Sequence, residues 1–282
     1  MDFKSAQVQE FIKNSLSEDL GNGDHSSLAS IPKGSIGQAH ILFKEDGIVA
    51  GLQLAAEILK HLDPKVEIEF LKQDGDIVRY GDKGMIAKGN VHALLAGERL
   101  LLNCMQRLSG IATITKLIAD KISHTHAKIL DTRKTTPGLR FLEKWAVTIG
   151  GGHNHRFGLF DMIMLKDNHN DYAGGITAAL ERSKKYLEET GLQLSIEVET
   201  RNLEEVREVM ATGIANRVMF DNFTPDLMKE AVKLVNRRIE TEASGGITFE
   251  SIVPYAETGV DFISIGALTH SVKSLDISFK QG

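Results

Sequence analysis

The second half of this chain repeats one pattern six times: a short β-branched or apolar run that ends in polar or charged residues. The runs are "AKILDTRK", "DMIMLKDN", "LSIEVET", "NRVMFDN", "RIETEASGG" and "DFISIGAL". Between them, "ITAALERSKKYLEET", "NLEEVREVMAT", "TPDLMKEAVKLVN" and "TFESIVPYAET" carry apolar residues at helical intervals, with start signals such as Thr224-Pro225. Strands that alternate with helices make a parallel sheet, and this many consecutive units favour a β/α barrel over an open doubly wound sheet. Six strands within residues 112–271 fall short of a full barrel of about eight. The expected fold class is therefore α/β, an irregular, incomplete, TIM-like β/α barrel.

The first half reads differently. "GQAHILFKEDGIVAG", "KVEIEFLKQDGDIVRYGD" and "GMIAKGNV" are strand-like runs joined by Asp-Gly turns, with "LQLAAEILKHL" as a helix among them. They make an N-terminal α+β domain, residues 1–111. The segment "HALLAGERLLLNCMQRLSGIATITKLIADKI" is apolar at helical spacing throughout and bridges into the barrel, residues 112–271; the tail, 272–282, is expected to pack back on the first domain. At 282 residues the chain can bury a sizeable core. A net charge of −5 argues against nucleic-acid or membrane-surface binding through bulk charge, but leaves room for a local cationic pocket. The single cysteine, Cys104, cannot form an internal disulfide; it reads as a small core residue and points to a reducing cytoplasm. No stretch approaches the length of a membrane span, and the charged N-terminus does not resemble a signal peptide.

Active sites of β/α barrels lie at the carboxyl ends of the strands, so the residues that follow each run form a candidate set. Arg133, Lys134 and Arg140 follow the first. The stretch "GGGHNHRFGLFDMIMLKDNH" enters the second from His155 and Arg156 and leaves it through Lys166 and His169. Later ends supply Glu199, Asp221, Ser244-Gly245-Gly246, and Gly266 with His270. From residue 131 to 166 there are six Lys or Arg against three Asp or Glu, in a chain that is acidic overall. Such a cluster at a barrel mouth suits anions, Arg as a planar fork for carboxylate and Lys as a point charge. The plain alternative is a solvated charged loop. Two consecutive late strands ending in glycine suit a phosphate cup, because backbone N–H groups can then approach closely. Glu199 and Asp221 could hold ribose hydroxyls or Mg²⁺ with its substrate phosphates, or could simply pair with Arg133 or Lys166.

Other motifs have ordinary readings. His124 and His126 of "SHTHAK" lack neighbours at metal-ligand spacing and read as a surface loop. "GNGDHSS" reads as a turn with capping residues after it, and "GGGHNHR" lacks the Gly-Lys-Ser/Thr of a P-loop.

Taken in order, "EDLGNGD", "GERLLLNCMQRLSGIAT", "DTRKTTPGLR", "GGGHNHRFGL", "LKDNH", "EVET", "DN", "ASGGI" and "ISIGALTHS" closely resemble the quinolinate phosphoribosyltransferases across nearly the whole chain. The resemblance implies an N-terminal open α/β sandwich, an incomplete barrel and a homodimer, in which the N-terminal domain of one subunit covers the barrel mouth of the other. It implies conversion of quinolinate and phosphoribosyl pyrophosphate into nicotinate mononucleotide, pyrophosphate and CO₂, with Mg²⁺, in NAD biosynthesis. It further implies that Arg133, His155, Arg156 and Lys166 hold the quinolinate carboxylates, joined by Arg99 from the partner subunit. Lys134 would contact substrate or pyrophosphate, Glu199 and Asp221 the ribose or its Mg²⁺, and Ser244, Gly245, Gly246, Gly266 and His270 the phosphates. "DHSS" and the Arg-Asn after "IEVET" depart from the family pattern, away from these positions.

Two rival readings have discriminating features. A related transferase acting on another base would need fewer cations if that base carried a single carboxylate, and this chain keeps the full set. A biotinyl-type or lipoyl-type carrier would carry a modified Lys in a hairpin turn, but Lys83 and Lys88 lack the neighbours that such a motif requires.

Overall fold

Val8, Ile12 and Leu16 recur at four-residue intervals and form the buried stripe of the first helix, α1 (Ala6–Leu20). The computed structural model, which describes residues 1–282, continues into α2 (His25–Ser30), whose first turn is capped by Asp24. The Asp24 carboxylate accepts from both the backbone N–H and the hydroxyl of Ser27, as the capping signal in "GNGDHSS" suggests. Strands β1 (Ile36–Phe43), β2 (Gly47–Ile48), β3 (Glu67–Phe70), β4 (Ile77–Val78) and β5 (Lys83–Asn90) follow, with α3 (Leu52–Leu62) after β2. Ala39, Ile41 and Phe43 alternate into the core along β1, and Leu52, Leu54, Ala55, Ile58 and Leu59 bury the matching face of α3. An antiparallel sheet runs in the order C-terminal strand, β1, β5, β3; that last strand of the chain pairs Ile277 with Phe43. Helix α4 (Val91–Lys121) extends over 31 residues.

The chain divides into two units. The first comprises Met1–Lys116, Phe141–Gly150 and Val272–Gly282, the second Leu117–Arg140 and Gly151–Ser271. The boundary thus falls within α4, five residues later than a cut at 111, because a helix apolar along its whole length marks no break. The excursion 141–150 is equally unmarked. There β6 (Lys128–Leu130) is followed by α5 (Arg140–Ile149), in a stretch whose flanks read as loop and hinge. Leu142, Ala146 and Val147 are its buried side. Gly150 ends this helix against α4, and a Cβ there would stand 2.4 Å from the Ala112 carbonyl oxygen.

The second unit contains all six expected strands. After β6 come β7 (Ile163–Leu165), α6 (Asp167–Ala173), α7 (Ile176–Thr190), β8 (Ile196–Thr200), α8 (Leu203–Thr212), β9 (Arg217–Asp221), α9 (Pro225–Val235), β10 (Glu240–Ser244), α10 (Ile252–Ala256), β11 (Phe262–Ser264) and α11 (Ala267–His270); β12 (Ile277–Gln281) is the strand already placed in the first unit. The six strands form one parallel sheet in the order β6-β11-β10-β9-β8-β7. Its end strands, β6 and β7, do not pair with each other, and β6 makes only an isolated parallel bridge, Leu130 to His153 in the segment before β7, so the barrel is incomplete. Asn202 caps α8, and Thr224 caps α9 ahead of Pro225. Helix α10 begins at Ile252 rather than at Thr248, since the Thr248 N–H is taken by Ser251 Oγ and a turn precedes the helix.

Side chains alternate along a strand, which sorts each sequence run into two faces. Val198, Val218, Phe220, Ala243 and Ile263 form one apolar layer. The opposite parity is charged: Glu197 and Glu199 on β8, Arg217 and Asp221 on β9, Glu240 and Glu242 on β10. Register sets Glu197 beside Arg217, Glu240 beside Arg217, and Ser244 beside Asp221. We expect Gly150→Ala to destabilise the protein by about 1–3 kcal/mol, since backbone rather than a flexible side chain blocks the new methyl. Urea denaturation should show a lowered midpoint with the slope unchanged.

Candidate active site

A cavity of about 900 Å³ is lined by residues at the carboxyl ends of the second unit's strands. Its first wall comes from the loop after β6. Thr132 Oγ1 accepts the Lys134 N–H at 3.0 Å, and the Lys134 carbonyl accepts the Thr269 hydroxyl at 2.7 Å, which ties the loop to α11. The Lys134 side chain then lies across Gly266, where a Cβ would be 3.0 Å from Lys134 Cδ. Arg133 Nε is buried with no hydrogen-bond partner. Arg156 is 9% exposed and spends one donor on the Met162 carbonyl at 3.3 Å. Burial, and then the like charge of Arg133, press its guanidinium below the ordinary arginine value. An anion between these two guanidinium groups would relieve their mutual repulsion.

The opposite wall is acidic. Lys166, at the end of β7, places Nζ 3.0 Å from Glu199 Oε2. Burial, followed by the charge of Glu199, raises the carboxyl of Asp221 above the usual range, while the Asn222 amide donates to it at 2.7 Å. Asn222 itself adopts φ 56°, uncommon for a residue with a side chain. Its side chain fills the space over Gly245, where a Cβ would fall 2.2 Å from Asn222 Oδ1. Gly245 at φ 98° and Gly246 at φ 60° continue the turn from Ser244, in left-handed backbone that glycine adopts without strain. Gly266 opens α11 and His270 closes it, with Nδ1 2.6 Å from Ser271 Oγ. Both line the cavity.

Beneath lies a buried charged layer. His155 Nε2 stands 3.0 Å from Glu197 Oε2 and 3.5 Å from Glu242 Oε2, and Arg217 Nη1 stands 3.0 Å from the same Glu242 oxygen. Burial first, then the charge of Glu197, hold the Glu242 carboxyl up to about 8. Burial likewise raises Glu197, offset by Arg217.

Twelve of the positions singled out from the sequence therefore line one cavity: Arg133, Lys134, His155, Arg156, Lys166, Glu199, Asp221, Ser244, Gly245, Gly246, Gly266 and His270. Arg99 does not line it; the residue is exposed on α4 in the first unit. Arg140 is structural, donating to Thr135 Oγ1 and to the Phe157 carbonyl, each at 3.0 Å. His169 accepts the Lys166 N–H at 3.1 Å through Nδ1 and so starts α6 instead of entering the cavity. His124 and His126 are exposed beside Glu257 and Asp261, a surface arrangement. Burial pushes the Cys104 thiol up to about 12, which leaves it unreactive.

Several lining residues escaped sequence reasoning: Thr132, Met164, Met219, Asn222, Glu242 and Thr248. A signal existed for Glu197 and Glu242. Strands covered on both faces should read as apolar throughout, and "IEVET" and "ETEAS" place a charge at every second residue instead.

Comparison with known proteins accords with this geometry. Residues 111–280 match the family described as "Quinolinate phosphoribosyl transferase, C-terminal domain", and residues 24–109 match the corresponding N-terminal domain. Over 97% of its length the chain is 51% identical to the chloroplastic carboxylating nicotinate-nucleotide pyrophosphorylase of Arabidopsis thaliana, covering 82% of that protein. Over 96% of its length it is 47% identical to a probable carboxylating nicotinate-nucleotide pyrophosphorylase of Bacillus subtilis (strain 168), covering 92%. Its fold is similar to that of NadC from Streptococcus pyogenes, with a TM-score of 0.94, 36% identity, and 99% and 98% of the two chains covered. The chain belongs to the quinolinate phosphoribosyltransferase family.

Proposed function

We propose that this protein transfers the phosphoribosyl group of phosphoribosyl pyrophosphate to quinolinate and decarboxylates the product, giving nicotinate mononucleotide, pyrophosphate and CO₂ for NAD biosynthesis. The observation that carries this reading is the division of one cavity into a cationic wall, an acidic wall and a glycine turn. Quinolinate is a dianion with adjacent carboxylates, for which Arg133 and Arg156 on the cationic wall, His155 beside them in sequence and Lys166 at the end of β7 would supply matching donors. Phosphoribosyl pyrophosphate brings several further negative charges. Lys134 would meet the pyrophosphate end, and Ser244, Gly245, Gly246, Gly266 and His270 the 5′-phosphate, through backbone N–H groups and side-chain donors.

The reaction then follows from charge. As pyrophosphate departs, positive charge grows on the ribose, and Glu199 and Asp221 stabilise it from the acidic wall. The pyridine nitrogen bonds to the ribose carbon and becomes cationic. The neighbouring ring carbon loses CO₂, since the electron pair left behind sits beside that positive nitrogen, and the carbon then takes up a proton. Glu199 and Asp221 also fit Mg²⁺: two crowded carboxylates, one raised by the other, form a hard-oxygen donor set. Bound there, the ion would neutralise the leaving pyrophosphate. No protein nucleophile is required, and positioning supplies the rest.

The active form in this reading is a homodimer that borrows Arg99 from the partner subunit. Arg99 is exposed on α4, as a residue reaching toward another subunit must be. The partners suited to an acidic protein with a local cationic pocket are small anions rather than nucleic acid or membrane. No helix is long and apolar enough to cross a membrane, and a lone cysteine suits a reducing, cytoplasmic setting.

Purified protein mixed with quinolinate, phosphoribosyl pyrophosphate and Mg²⁺ should release nicotinate mononucleotide and CO₂. Turnover of nicotinate with none of quinolinate would transfer the assignment to a transferase for another base. Arg99→Ala should fold normally and raise the KM for quinolinate roughly tenfold or more. Mixing Arg99→Ala with Lys166→Ala under subunit exchange should restore up to about a quarter of wild-type activity, because half of a random mixture is heterodimer with one intact site. No recovery on mixing would place Arg99 outside the site.

A further inference from the structure

Strand β9 ends on Asp221, and the next residue, Asn222, makes contacts in two directions. Its backbone N–H donates to the Ser244 carbonyl at 2.9 Å, one step past the register that pairs Ser244 with Asp221. The end of β9 is thereby joined to β10 where the glycine turn begins. Its side-chain Nδ2 donates to Asp221 Oδ2 at 2.7 Å. An ionised carboxylate only accepts, so the amide nitrogen faces Asp221 and the amide oxygen faces away. That oxygen lies over Gly245, where a Cβ would fall 2.2 Å from it.

The position is fixed from both sides. Phe220 and Phe223 are buried and their rings pack 5.3 Å apart, so the chain turns within the two residues between them. Asn222 makes that turn at φ 56°, and asparagine is among the few residues with a side chain that tolerate such backbone. Thr224 then caps α9. Lys166, a cation of the same cavity, is engaged by Glu199 at 3.0 Å, which leaves the Asn222 amide as the donor that sets the Asp221 carboxylate. Asp221, Asn222, Gly245 and Gly246 all line the cavity.

We propose that Asn222 is a positioning residue that locks the Asp221 carboxylate to the turn of residues 244–246, so that the carboxylate serving the ribose and the turn serving its 5′-phosphate act as one rigid unit. This rests on the reading of the cavity as a phosphoribosyl pyrophosphate site. A ribose 5-phosphate presents its two recognition points at a separation set by its own covalent frame, and subsites that moved independently would lose orientation at the reacting carbon. Asn222 removes that freedom with one residue. Its amide nitrogen sets the carboxylate, its amide oxygen fills the space over Gly245, and its N–H ties the two strand ends together. Its action on the reaction runs through Asp221.

Two variants separate donation from the filling of space. Asn222→Asp keeps the shape over Gly245 and tolerates the same backbone, but it cannot donate to Asp221 and sets a like charge beside it. Asn222→Gly takes up φ 56° without strain and removes the amide outright. Both should fold, with melting temperatures within about 5 °C of wild type. In each, kcat should fall about thirtyfold or more and the KM for phosphoribosyl pyrophosphate should rise, while the quinolinate KM stays within about twofold because the cationic wall is untouched. In wild-type protein, ¹⁵N NMR of the side-chain amides should show one Asn222 amide proton shifted downfield and slow to exchange, and Asp221→Ala should abolish that signature. Wild-type kcat in either Asn222 variant, or an amide signature that is absent or survives Asp221→Ala, would overturn the proposal. Equal losses in every kinetic parameter, or loss of the fold in both variants, would make Asn222 merely structural and overturn it as well. Failure of the wild type to turn over quinolinate would overturn the function instead, and the amide signature of the free protein would still decide whether Asn222 holds Asp221.

Discussion

Like charges gathered in one cavity are what the rest of the second unit has to accommodate. Two unit charges about 4 Å apart interact with roughly 4 kcal/mol at an effective dielectric near 20, a sizeable share of the stability of a typical domain. The chain meets this demand with opposite charge placed by strand alternation. Lys166 is neutralised laterally by Glu199, one strand over. Glu197 favours the charge on Arg156, and Arg217 pairs with Glu242 at 3.0 Å. Glu197 and Glu199 share one face of β8, and Arg217 lies level with Glu197 and Glu240 on the same face of the sheet. Period-two spacing therefore couples the anion site to its own counter-ions without any loop having to fold around them.

The glycine turn solves the reverse problem, that of bringing backbone close to an anion. Gly245 cannot carry a side chain because Asn222 already occupies the space, and Asn222 occupies it by taking left-handed backbone. The strained asparagine also donates to Asp221, so one residue sets both the acidic wall and the floor of the turn. A non-glycine residue in that conformation is tolerated where its surroundings over-determine it, which here means the Asn222 N–H to Ser244 carbonyl bond at 2.9 Å and the amide to Asp221.

The architecture was legible because its signals are local. Six runs of β-branched residues became six parallel strands, and "LQLAAEILKHL" and "ITAALERSKKYLEET" became helices with the same ends, because alternation of period and capping residues act over a few positions. What stayed hidden depended on contacts between distant segments. The assignment of 141–150 to the first unit rests on Gly150 lying against Ala112, which no local pattern announces. Helix α1 carried a plain four-residue apolar stripe, Val8, Ile12 and Leu16, masked by the charges around it. Helix α6 looked like the polar end of a strand, since His169 caps it through a ring nitrogen and no usual capping residue precedes it.

The site shows the same division. Cations, carboxylates and the glycine turns at strand ends could be enumerated from one rule about barrels, and twelve of these positions do line one cavity. Their states could not be read in that way. His155 has the same sequence setting whether its ring nitrogens face a substrate or Glu197, and only the strand register, with Met164 beside Glu197 and Glu197 beside Arg217, decides which carboxylates lie beneath it. The residue types at a barrel mouth thus indicate what can bind, while the strand register determines which carboxylates pair with them.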